Sequence, residues 1–197
     1  MFKSLKAQGA LGITLAAAGI LMITMGARQS IGLFVGPINT STGLGIATIS
    51  FALAIAQFTW GAVQPLAGAA ADRWGPRAVL IGGVFMLAVG TALTPLMGRG
   101  PGRLFAQWLL VAAGGGAGSF SVLIGAAAQR IPAASRGSAS GVINAGGSLG
   151  QFVFAPVAQK LIQLVGWMGA MYTLAVIALL ALPLIGRVTK GGSTAHA

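Results

Sequence analysis

The chain has 197 residues, a formal charge of +11, a single acidic residue, one histidine and no cysteine. Hydrophobic residues make up 56% of it, charged residues only 7%, and the mean hydropathy is +0.89, whereas a soluble domain carries about 25% charge. This composition excludes disulfide and thiol chemistry, a metal-ligand cluster and the His–carboxylate pairs of hydrolytic enzymes, so neither a cofactor nor catalysis is expected. The basic residues are singletons or close pairs between apolar runs, without a basic stripe or interleaved aromatics, which argues against a nucleic-acid partner. The expected partner of such a surface is the lipid bilayer.

A helix needs about 20 apolar residues to cross the hydrocarbon core. Read for that length, the chain predicts an all-α membrane protein with six transmembrane helices, over about 10–36, 46–69, 78–97, 104–128, 138–162 and 167–186. They form one bundle over 1–188, followed by a disordered tail over 189–197 that holds His196. Lys3 and Lys6 ahead of an apolar run imitate a secretory signal, but the run is longer than a signal's core and five more follow, so it reads as an uncleaved first helix. Gly36-Pro37 and the stretch Asn39 to Gly43 are predicted to close the first span, Gly98 to Gly102 the third and Arg130 to Gly137 the fourth. The fifth is expected to turn into the sixth near Val165-Gly166-Trp167.

Lys and Arg gather on the cytoplasmic side of membrane proteins. With the amino terminus inside, Lys3, Lys6, Arg73, Arg77, Arg130, Arg136, Arg187 and Lys190 are cytoplasmic, and Arg99, Arg103 and Lys160 are outside. Both termini are therefore expected in the cytoplasm.

Polar side chains concentrate in the first, second, fourth and fifth spans; the third and sixth hold no Gln, Asn or charge between their ends. Buried polar groups in a membrane need a partner or a wet cavity, so the first set is expected to line an interior and spans three and six to face lipid. Ser140, Asn144, Ser148 and Gln151 fall on one helical stripe, as do Ser50, Gln57 and Gln64. Such stripes either line a pathway or hydrogen-bond helix to helix, at about 0.6 kcal/mol each. Arg28 lies near mid-depth, where an arginine costs roughly 2.5–3.5 kcal/mol. The one acid, Asp72, is at a span's end. Its countercharge must come from a substrate, a cluster of backbone carbonyls or another polypeptide, and an anion is the economical choice, since guanidinium holds carboxylates through paired hydrogen bonds. Arg28 is thus the candidate anion anchor, with Gln57, Asn144 and Gln151 as candidate polar contacts. Gly32/Gly36, Gly114/Gly118, Gly137/Gly141 and Gly146/Gly150 share the spacing that lets helix backbones approach.

Asp72 sits in Gly68-Ala69-Ala70-Ala71-Asp72-Arg73-Trp74-Gly75-Pro76-Arg77. This run resembles the loop between the second and third helices of the major facilitator superfamily, with the glycines, the Asp-Arg pair and Arg77 on pattern, and Ala70 and Pro76 departing from it. Gly26-Ala27-Arg28-Gln29-Ser30 through Gly32-Leu33-Phe34 and Gly36-Pro37 resembles bacterial members of the monocarboxylate and oxalate–formate porter branch. The resemblance implies the amino-terminal half of a twelve-helix secondary transporter in a bacterial inner membrane. That half would carry a small organic anion by alternating access against a second six-helix half, in the same chain, a separate subunit or a homodimer. It also implies that Gly68, Asp72, Arg73, Gly75 and Arg77 form a cytoplasmic gate, with Arg130 as a local partner for Asp72 worth no more than about 1 kcal/mol. A three-plus-three inverted repeat would make the second and fifth helices equivalent. Ala56-Gln57-Phe58 through Val63 does echo Gly150-Gln151-Phe152 through Val157 at an offset of 94. Two other readings fit the same residues: a non-transporting fragment or six-helix scaffold, and half of a drug–proton antiporter. The lack of membrane-embedded acids weighs against the antiporter.

Overall fold

The structure is a computed structural model and describes residues 10–96 and 100–189. Lys3, Lys6, Arg99, Lys190 and His196, with the positions assigned to them above and the expected tail, lie outside the described residues. Those described are helical throughout: α1 (Ala10–Gln29), a 3-10 turn (Ser30–Phe34), α2 (Val35–Thr42), α3 (Ile46–Trp74) and α4 (Pro76–Leu93), which ends in a 3-10 turn (Thr94–Leu96). Then come α5 (Pro101–Ala117), α6 (Phe120–Ala128), a 3-10 turn (Ala133–Ser135), α7 (Arg136–Leu179) and α8 (Ala181–Thr189). They make five stretches long and apolar enough to cross a membrane: Ala10–Thr42, Ile46–Trp74, Pro76–Leu96, Pro101–Ala128 and Ala133–Thr189.

The boundaries differ from the sequence reading for local reasons. Gly36-Pro37 does not close the first span. Pro37 falls in the first turn of α2, where a missing N–H costs no helical hydrogen bond, and the helix runs on to Gly43, whose φ of 70° ends it. The signature loop shrinks to Gly75, with φ 84°; Gly68 to Trp74 are still helical. The fourth span, expected as one helix, is broken at Gly118–Ser119 between α5 and α6. The last stretch, 57 residues long, would reach about 85 Å if straight, against about 30 Å of hydrocarbon. Gly166, with φ 72° and ψ 169°, breaks it where the turn was expected.

Hydroxyls in the spans bond back to their own helices more than across. Thr14 donates to the Ala10 carbonyl, Thr24 to Ile20, Ser30 to Gly26, Thr91 to Leu87 and Thr173 to Gly169. That satisfies a polar group in lipid without help from a neighbour.

Helix order follows from close approaches at glycine. A Cβ on Gly146 would strike Ala18, one on Gly150 the backbone of Met22, and one on Gly26 the ring of Phe154. The constant increment along both helices makes α1 and the first part of α7 parallel. Gly83 meets Ala117 and Gly90 meets Val111, so α4 and α5 are antiparallel. Phe51 stacks edge-on with Phe105 at 6.0 Å, and Gly116 meets Trp60 and Val63, so α3 and α5 are parallel. Each relation is the one produced by spans that alternate up and down. Gly32, Gly36, Gly137 and Gly141 share the same spacing but have nothing within 4 Å of a Cβ; these four are not packing contacts within the bundle.

The apolar stripe Phe85, Val89 and Leu93 on α4 is exposed, and so is Met168, Tyr172, Val176 and Leu180 beyond Gly166. These are the faces expected to meet lipid. The α1 span is largely buried, with Ile20, Thr24, Phe34 and Ile38 at most 1% exposed. The polar helices do not surround a common interior: α1 and α5 form the centre, while α3 and the first part of α7 turn broad faces outward.

Candidate functional site

Arg28 lies in the last turn of α1, just before the helix tightens into the 3-10 turn at Ser30. Its Nη1 donates to Gln57 Oε1 at 2.7 Å, and its Nη2 to Gln29 Oε1 at 3.2 Å. The guanidinium carbon stands 4.4 Å from the centroid of the Trp60 ring. The aliphatic stem fits beside Gly115, where a Cβ would come within 2.8 Å of Arg28 Cδ. Arg28 is therefore held by two amide oxygens and an indole face, and no carboxylate among the described residues compensates its charge. A cation over a tryptophan face contributes about 2 kcal/mol when desolvated, comparable to the cost of placing the charge at that depth.

Beside this group lies a cavity of about 30 Å³, bordered by Arg28, Gln57 and Trp108 with the apolar Ile31, Leu53 and Val111. Arg28 Nε is buried without a hydrogen-bond partner among the described residues. The break in the fourth span is close at hand. Gly115 touches Arg28 and Trp60, and the Gly118 carbonyl accepts from Thr24 Oγ1 at 3.4 Å. Interrupted spans of this kind expose backbone groups at mid-membrane, where transporters place their sites.

The predicted site residues separate into two groups. Arg28 and Gln57 meet. Asn144 and Gln151 do not join them: they sit on α7, Asn144 exposed and Gln151 half-buried, and neither makes a hydrogen bond among the described residues. Trp60 and Trp108 belong to the site and were not predicted. The signal for Trp60 was its position three residues after Gln57, on the same helical face; an indole in an apolar run carries no comparable signal for Trp108.

The cytoplasmic-end residues are also rearranged. Asp72, Arg73 and Arg77 are exposed, and Arg73 lies 5.7 Å from the Trp74 ring. Gly68, Asp72 and Pro76 border a second cavity, of about 180 Å³, with Ser121 and Gln129. Arg130 does not pair with Asp72 among the described residues. Its Nη1 instead donates to the carbonyls of Arg187 at 2.9 Å and Val188 at 3.0 Å, capping the last turn of α8. Arg130→Ala is accordingly expected to lower stability by about 1 kcal/mol, read as a lower thermal midpoint in detergent with substrate binding unchanged. An undiminished midpoint would deny the cap.

The sequence model of the Major Facilitator Superfamily matches residues 17–194. The chain is 29% identical over 155 residues to a protein of Oxalobacter formigenes named oxalate:formate antiporter, a match covering 78% of this chain and 36% of that protein. It is 30% identical over 140 residues to a Cupriavidus necator protein named "Probable sulfoacetate transporter SauU", covering 71% of this chain and 31% of that one. The matched part thus spans about a third of the length of these relatives. With a family match running over nearly all of its apolar helices, the chain belongs to the Major Facilitator Superfamily.

Proposed function

We propose that this chain is the amino-terminal half of a transporter for a small organic anion, a mono- or dicarboxylate. It would rock against a second six-helix half about a mid-membrane site. The observation that carries the reading is Arg28, a mid-span guanidinium beside a cavity, engaged by amide oxygens and an indole but by no acid. The oxalate, formate and sulfoacetate in the relatives' names are carboxylates, which such a group would hold.

Six crossings follow if Gly166 turns the last stretch back through the membrane, and an even count returns both termini to the cytoplasm of a bacterial plasma membrane. The internal echo supports the inverted repeat: Phe58 and Phe152, equivalent in it, are each 78% exposed. With Leu66, Leu149, Gln57 and Asn144 they give α3 and α7 a mixed apolar and polar outer face. A second half would cover that face, bringing Asn144 and Gln151 toward the pathway. Asp72, Arg73 and Arg77, with the Gly68 and Gly75 turn, would then gate the cytoplasmic side.

The test is uptake by proteoliposomes holding the natural polypeptide purified from its own membranes. Counterflow of radiolabelled oxalate or formate is expected, with no accumulation of a lipophilic cation such as ethidium. Cation accumulation without anion exchange would replace this reading with the drug-antiporter one.

A further inference from the structure

Trp108 is 1% exposed and borders the cavity beside Arg28, yet its indole N–H meets no acceptor among the described residues. Arg28 also borders this cavity, and its Nε is buried without a partner among the described residues. Both groups can only donate. Of the side chains bordering the cavity, the one acceptor, Gln57 Oε1, is already engaged by Arg28 Nη1. The remaining wall is alkyl, from residues such as Ile31, Leu53 and Val111.

Such surroundings discriminate. A water could accept from the two donors and give one hydrogen to the second lone pair of Gln57 Oε1, but its other hydrogen would find no side-chain acceptor in the wall. A cation would meet only donors and a fixed positive charge. An anionic oxygen pair accepts from both donors and needs nothing in return, and the low-polarity wall strengthens each bond. One water-sized site takes about 10–15 Å³, so a cavity of about 30 Å³ suits two oxygens, not a whole dicarboxylate.

We infer that Trp108 is a specificity-determining residue, its indole N–H and Arg28 Nε together receiving one planar carboxylate end of the transported anion. This rests on the organic-anion reading above and adds to it the residue and the group recognised. It also explains why an indole, not a phenyl ring, stands at that place in an alkyl wall.

The probe is radiolabelled oxalate, with methanesulfonate as competitor, bound to the natural polypeptide in lipid nanodiscs and read by scintillation proximity. Trp108→Phe removes the donor and is expected to raise the oxalate Kd by tenfold or more. Replacing Trp108 with benzothienylalanine, which keeps the ring shape and puts sulfur in place of the N–H, is expected to do the same with an unchanged thermal midpoint. That second variant guards against loss of fold. Acetate is expected to compete with oxalate, whereas methanesulfonate is expected to do so only at much higher concentration. Oxalate binding that is normal in the benzothienylalanine protein overturns the role of Trp108 and leaves the anion reading intact, as does equal competition by the sulfonate for the carboxylate preference. Failure of the parent protein to bind oxalate, formate or acetate overturns the anion reading, and the assignment of Trp108 with it.

Discussion

Arg28→Lys is expected to reduce uptake of an organic anion about a hundredfold while the protein inserts and accumulates normally. Lysine keeps the charge, and on insertion scales it costs about as much as arginine at that depth. What it lacks is the planar fork. Arg28 donates from Nη1 to Gln57 Oε1 and from Nη2 to Gln29 Oε1, sets its guanidinium carbon over the Trp60 ring, and keeps its Nε–H without a partner among the described residues. A compact ammonium cannot serve two amide oxygens, an indole face and an anion at once. Losing the charge-assisted hydrogen bond from Nε to the anion, worth up to about 3 kcal/mol, costs up to roughly a hundredfold in binding. Labelled oxalate uptake, alongside protease protection to confirm insertion, measures this. Near-normal uptake by the lysine variant would strip Arg28 of its role as anchor.

Gly150→Val is expected to be the most damaging small substitution in the bundle. A Cβ at Gly150 would run into the Met22 carbonyl oxygen and lie 2.8 Å from both Met22 C and Cα. These are backbone atoms and cannot swing aside, so α1 and α7 must move apart along the line that also joins Gly146 to Ala18 and Gly26 to Phe154. Overpacking of this kind costs about 1–3 kcal/mol in ordinary cores; here the whole α1–α7 seam is displaced, and about 3 kcal/mol or more is expected. Gly141→Val supplies the contrast, because a Cβ there has nothing within 4 Å. Thermal unfolding of the two variants in detergent should separate them by many degrees. Equal midpoints would mean that the α1–α7 approach does not hold the bundle together.

That pair of glycines shows where reading the chain alone stops. Gly137/Gly141 and Gly146/Gly150 have identical spacing on one helix, yet only the second pair packs against a neighbour. The rotation of α7 about its axis decides between them, and rotation depends on every helix it touches. The same holds for the polar stripes. Gln57 meets Arg28 across two helices, while Asn144 and Gln151, on an equally regular stripe, stay on the outer face of α7. Arg130 lies near the same end of the bundle as Asp72, but its Nη1 reaches the carbonyls of Arg187 and Val188 instead.

The amino-acid sequence by itself determined that the chain is helical and suited to lipid, that a turn falls near Gly166, and that Arg28 is the residue out of place. Each of these follows from local quantities, the transfer cost of side chains summed over some 20 residues and the tolerance of glycine for positive φ. Only the tertiary structure decided that α1 and α5 form the centre, that the fourth span breaks at Gly118, and that Trp60 and Trp108 complete the site around Arg28. Those outcomes depend on which helix faces meet and in what register. In lipid, where one apolar face is as well solvated as another, close packing at particular glycines sets that register, and a one-dimensional pattern does not carry it.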